Sequence, residues 1–237
     1  MSASLHVLLE RLIDYAGLFP PAGLSMQDAV RNYDRYRDGE YAWALGSFVV
    51  PLDRVDEVPR DFQMSILGVD EVKSMESARP GAFVEITDLA QIGELARRGL
   101  RAKIRTGGLT VDAFPAIQNV AAFLRACKAA GVGFKATAGL HHPLRCVKPL
   151  TYEPNAPTGR MHGFINVFLA AAMLEHADAI LAEEDAAAFA FDDDGASWRG
   201  HRVSTDALRA MRRDFAISFG SCSFEEPIAD LKELGWL

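Results

Sequence analysis

The sequence predicts an α/β fold: a TIM-like (β/α) barrel of regular or irregular closure, carrying an N-terminal helical extension. Three observations predict it. Short runs rich in β-branched and aromatic residues alternate with longer runs of helical period, which is the pattern of βαβ units around a parallel sheet. The chain has 237 residues, 49% of them hydrophobic, with no linker-like stretch, which suits one barrel domain over residues 1–237. The glycine-rich signatures of dinucleotide folds and P-loops are missing, so a doubly wound open sheet is only the runner-up.

Taken in order, the elements begin with a helix over residues 4–14 and a turn-rich piece over 16–23. A second helix spans 25–37, with Ser25 and Asp28 spaced as an N-cap pair. Strands follow at 44–51, 63–67, 82–87, 101–106, 133–138, 188–192 and 215–220. Helices fall between most of them, at 69–77, 89–98, 111–130, 162–176 and 205–213, and a last helix at 227–234 closes the chain. An eighth strand is sought in the N-terminal region or in 197–203. Residues 191–198 read as a hairpin turning at Asp194–Gly195, and the proline-rich piece 149–157 as a surface or active-site loop.

Composition narrows the partners. A formal charge of −7 without a basic stripe argues against nucleic acid and against an anionic membrane surface. No apolar run reaches about 18 residues, the length of a spanning helix. Residues 1–10 lack the cationic start and cleavage site of a signal peptide. Cys127, Cys146 and Cys222 are an odd, sparse set, which points to a reducing, cytoplasmic setting, with Cys127 in the core. The expected partner is a small anionic substrate, with a homo-oligomer possible and no cofactor required.

The candidate site comes from strand parity. In residues 101–106 the apolar Ala102 and Ile104 share one face, which turns Lys103 and Arg105 to the other. The same alternation turns Lys135 and Thr137, and Glu85, into one interior. Buried charge is costly unless paired, so three cations with one carboxylate call for an anionic ligand; a structural salt-bridge network is the competing reading. Loops at 106–108, 139–143 and 219–224 follow these strands, where barrels keep their active sites. His141, His142, Arg145, Ser221 and Ser223 are therefore placed at the same mouth, the serines beside an anion site at the Gly220–Ser223 backbone. A metal at His141 and His142 needs a third ligand, for which His162, Glu85 and Asp192 are the candidates. Residues 14–21 either fold over the mouth or pack as an N-terminal turn.

Residues 100–140 also resemble the deoxyribose-phosphate aldolase family of class I aldolases. The resemblance lies in Lys103-Ile104-Arg105-Thr106, in Leu109-Thr110 opening a helix, and in Phe134-Lys135-Ala136-Thr137-Ala138-Gly139. It implies a barrel in which Lys135 forms a Schiff base. The family's second lysine, in a late strand, has no counterpart in Ile217-Ser218-Phe219-Gly220, and Lys103 or Arg105 would take its place. The expected activity is that of an aldolase, lyase or isomerase on a small anionic carbonyl or sugar-like substrate. Lys135, Glu85 and His141 would be catalytic, and Lys103, Arg105, Thr137, His142, Arg145, Ser221 and Ser223 would bind. Metal-dependent hydrolysis or lyase chemistry through His141 and His142, and a non-catalytic ligand-binding barrel, are the alternatives.

Overall fold

The computed structural model describes residues 1–67 and 80–237. The helix expected over 69–77 lies outside the described residues. Seven parallel strands form the main sheet: β1 (Ile13–Tyr15), β2 (Leu45–Pro51), β3 (Met64–Leu67), β4 (Phe83–Glu85), β5 (Arg101–Arg105), β6 (Phe134–Thr137) and β12 (Ala216–Ser221). Their spatial order is β3-β2-β1-β12-β6-β5-β4. Neighbours in the sheet are neighbours in the chain, apart from β12, which joins the first strand to the sixth. The sheet curls into a half-barrel. Lys135 on β6 reaches Ser65 on β3, and its ammonium lies 5.4 Å from the Phe83 ring on β4, so the two outer strands meet one side chain. The arrangement is compatible with a TIM-like fold.

The helices among the described residues are α1 (Ala3–Leu9), α2 (Met26–Arg37), α3 (Ile92–Arg98), α4 (Ile117–Ala129), α5 (Phe164–Ala172), α6 (Ala177–Ala182), α7 (Thr205–Asp214) and α8 (Glu225–Glu233), of which α2, α3, α5 and α7 pack on strands β2, β5 and β12. Ser25 caps α2 as its spacing predicts, its Oγ accepting the Asp28 N–H at 3.1 Å, a contact type that contributes about 1 kcal/mol. Helix α5 is apolar on every side and is buried from Phe164 to Ala171, packed against α4, α6, α7 and β12. Its one polar side chain, Asn166, is fully engaged: it donates to the carbonyls of Ile180 and Glu183 and accepts the Arg145 N–H. Cys127 is wholly buried, as expected of a core residue.

Two expectations are corrected. The N-terminal segment is more than a helical extension. Its helix ends at Leu9, and the chain then enters the sheet as β1, between β2 and β12. The N-terminal region thus supplies a strand, and among the described residues the parallel sheet has seven. The strand at 188–192 is real but lies outside the parallel sheet. As β9 (Phe189–Phe191) it pairs antiparallel with β10 (Gly195–Trp198), which pairs with β11 (His201–Ser204). The proline-rich piece is a loop, as expected, and it joins the two strands of a second hairpin, β7 (Cys146–Pro149) and β8 (Thr158–Met161).

Candidate active site

Register assembles the charges. Glu85, Lys103, Lys135 and Ser218 are successive partners across β4, β5, β6 and β12, so one row of side chains crosses the concave face. Ala102 and Ile104 are buried on the opposite face, as alternation requires. Glu85 bridges the two β5 cations: Lys103 Nζ is 3.3 Å from Oε2, and Arg105 Nε is 3.2 Å from Oε1. Lys103 and Glu85 are nearly enclosed, whereas Arg105 is 57% exposed at the rim.

Lys135 turns away from that cluster. It is 2% exposed, and its Nζ donates to Asp14 Oδ2 at 2.7 Å and to Ser65 Oγ at 2.8 Å. Asp14 in turn accepts the Ser218 hydroxyl at Oδ2 and the Ser47 N–H at Oδ1, each at 2.8 Å. A buried ion pair needs its remaining lone pairs satisfied to persist, and these two bonds do so. Gly46 leaves the room: a Cβ there would come within 2.3 Å of Asp14 Oδ1. The interior therefore holds Lys103 and Lys135 against two carboxylates, Glu85 and Asp14, not the one that sequence parity located. The third cation, Arg105, stands at the rim beside Glu85.

A cavity of about 330 Å³ opens at the C-terminal ends of the strands, and Glu85, Lys103, Arg105, Lys135, Thr137 and His141 all line it. The loops after β5 and β6 cross closely. A Cβ on Gly139 would fall 2.7 Å from the Gly107 Cα, and Gly139 has a φ of +73° that favours glycine. Ala138 adopts a φ of +59° beside it and is held there by the Thr106 hydroxyl, which donates to its carbonyl at 2.6 Å. Such backbone strain outside glycine collects where surrounding structure enforces a functional geometry.

The histidine loop is pinned to α5, whose first N–H groups at Phe164 and Ile165 are accepted by the carbonyls of His142 and Pro143. The two imidazoles diverge onto one helix. His141 Nδ1 lies 3.1 Å from Glu226 Oε2, and His142 Nδ1 lies 2.5 Å from Asp230 Oδ2. Burial pushes the Glu226 carboxyl up, but the hydrogen bond and charge of His141, together with His142, outweigh it and hold it below its ordinary value. His162 is buried elsewhere, its Nε2 on the Pro115 carbonyl and its Nδ1 near Arg145, and burial lowers its pKa. Among the described residues no three His, Cys, Asp or Glu side chains converge as a metal site.

The remaining expected binders stand behind the lining. Ser221 is 1% exposed, touches His141 Nδ1 at 3.4 Å and accepts the Ser223 N–H. The Ser223 hydroxyl accepts the Glu226 N–H at the start of α8. Arg145 faces His162 and lies 3.8 Å from Glu184. Residues Ala16, Phe19, Pro20 and Pro21 line the cavity, so the piece at 14–21 both packs β1 into the sheet and borders the mouth. Sequence reasoning missed Asp14 and Glu226; the Glu226–Asp230 spacing, which sets two carboxylates on one helix face, was the available signal for the second. No protein-family model, curated protein or solved structure matches the chain.

Proposed function

We propose that the half-barrel is a TIM-like barrel enzyme that acts on a small anionic carbonyl compound through Lys135, by lyase or isomerase chemistry. The observation that carries this reading is that Lys135, buried and paired with Asp14, lines the same cavity as Lys103 and Arg105. Arg105 and Lys103 draw the anionic group and set the carbonyl over Lys135. Inside a buried pair a proton can pass from Nζ to Asp14, and the neutral amine then attacks the carbonyl carbon. The C–N bond forms and the carbonyl oxygen, twice protonated, leaves as water. The resulting iminium accepts the electron pair of the bond that breaks next to it. His141, oriented by Glu226, moves the proton of the departing or rearranging fragment. The likeness of residues 100–140 to the deoxyribose-phosphate aldolase family supports the same lysine.

A second reading is favoured by the Ser47 and Ser218 bonds to Asp14, which hold its side chain in the ion pair with Lys135. In that reading Lys135 polarises the substrate oxygen and His141 alone moves protons. Borohydride trapping separates the two. A carbonyl ligand is first found by thermal shift, since binding to the native state raises apparent stability. With that ligand, reduction should fix a stable adduct on Lys135 in the wild type and none in Lys135→Arg. Turnover retained by Lys135→Arg removes the covalent reading and leaves the second.

A further inference from the structure

The cavity has two unlike walls. Charge enters from one side only, on β4, β5, β6 and the histidine loop that follows. The rest of the lining is largely apolar: Phe19, Pro20 and Pro21 after β1, Leu109 after β5, Leu150 at the loop end of the β7–β8 hairpin and Met161 at its base. Leu150 and Met161 are almost wholly buried, so they present a packed surface rather than mobile tips. Gly159 gives Leu150 its seat, because a Cβ at that position would meet Leu150 Cδ2 at 2.7 Å. Pro20 and Pro21 also lack backbone N–H groups, which removes two donors that a ligand hydroxyl would need.

On the reading proposed above, we infer that the substrate joins an apolar body, aromatic or branched aliphatic, to its anionic carbonyl head. A polyhydroxylated chain, as in a sugar phosphate, would lie with its hydroxyls against leucine, methionine and proline. Each hydroxyl would lose its water and gain no partner there. An apolar body loses only unfavourable hydration. The cavity volume of about 330 Å³ stands at the small end of ligand pockets, which suits one ring or one branched chain beyond the head. The wall thus selects against the sugar-like substrate that the charged residues alone would admit.

Isothermal titration of the full chain with four probes tests this. Phenylpyruvate and 4-methyl-2-oxopentanoate carry the head and an apolar body, pyruvate carries the head alone, and ribose 5-phosphate carries hydroxyls and an anion. The first two should bind at least about tenfold more tightly than pyruvate, the scale of discrimination that apolar pockets give. Leu109→Ser lies at the exposed rim and should fold normally; it should narrow that advantage and leave pyruvate binding unchanged. Met161→Ser makes the same change inside the wall, and Arg105→Gln should weaken all 2-oxo acids alike. Tighter binding of ribose 5-phosphate than of phenylpyruvate, or an advantage untouched by both wall variants, overturns the inference while Lys135 trapping still stands. If no probe binds and no adduct is trapped on Lys135, the underlying reading falls and takes this inference with it.

Discussion

Asp14 and Lys135 are 121 residues apart in the chain and 2.7 Å apart in the fold. β12 alone separates their strands in the sheet, and both side chains are removed from solvent. The ammonium has three donors and the carboxylate two oxygens. Ser65, Ser218 and the Ser47 N–H take up most of what the pair leaves over. The first half of the sheet is in this way tied to the second by one contact, whose Lys135 also lines the cavity.

Removing one partner should be far worse than removing both. Asp14→Ala leaves a buried ammonium without its counter-ion, and the expected loss is about 3–5 kcal/mol. Asp14→Asn with Lys135→Met replaces the pair by uncharged groups of similar size and should cost less than Asp14→Ala alone. Urea unfolding of the three proteins measures this directly. A loss below about 1 kcal/mol for Asp14→Ala would show that the ion pair is not structural.

Gly46→Ala tests how tightly Asp14 is placed. The new methyl group would stand 2.3 Å from Asp14 Oδ1, where the Ser47 N–H now donates. The carboxylate must rotate or β2 must shift, at about 1–3 kcal/mol for overpacking. The variant should fold with a lowered unfolding midpoint, and trapping at Lys135 should slow because its partner has moved. Unchanged stability and trapping would mean that the pocket around Asp14 is soft.

What the sequence disclosed follows from how far each signal extends along the chain. Lys103, Arg105, Lys135 and Thr137 were legible because β5 and β6 alternate apolar and polar residues long enough to set a phase. β1 has three residues, all buried, with Asp14 in the middle. A run that short carries no alternation, and the apolar residues before it continue a helical pattern, so the strand was absorbed into the helix. The carboxylates of α8 gave no sign of a role because their partners, His141 and His142, come from a loop 85 and 88 residues away. The strand at 188–192 had the right composition, but local sequence does not say which sheet a strand joins.

His162 predicts a loss of stability on mild acidification. Its pKa in the fold lies below the ordinary 6.5, because burial disfavours the charged ring and nearby Arg145 adds to this. The unfolded chain therefore takes up a proton near 6.5 while the folded protein does not. Stability is fully present above that value and is lost as pH falls from it through the lowered folded pKa. His162→Gln cannot titrate there, and its amide can still donate to the Pro115 carbonyl. The wild type should lose stability between pH 7 and pH 5 more steeply than this variant, measured by unfolding midpoints. Parallel curves would show that His162 titrates alike in both states.

Glu226 should act on His141 rather than on substrate. Held as a carboxylate, it accepts from His141 Nδ1 and so leaves Nε2 as the nitrogen free to take a proton in the cavity. Glu226→Gln removes the charge and allows either tautomer. The expected result is a fall in kcat of about a hundredfold, the scale of one general acid–base contribution, with little change in KM. Glu226→Asp should recover part of the loss, which a purely structural role would not require. Stability supplies a separate readout. The folded pKa of Glu226 lies below its ordinary 4.5, so its contribution is present above that value and is lost as pH falls through the lowered one. Glu226→Gln should flatten the acid limb of the stability profile below 4.5 while leaving the limb between pH 7 and pH 5 to His162. A variant that keeps full kcat, or one that loses kcat and KM together without partial rescue by aspartate, would take His141 out of the proton-transfer role assigned to it.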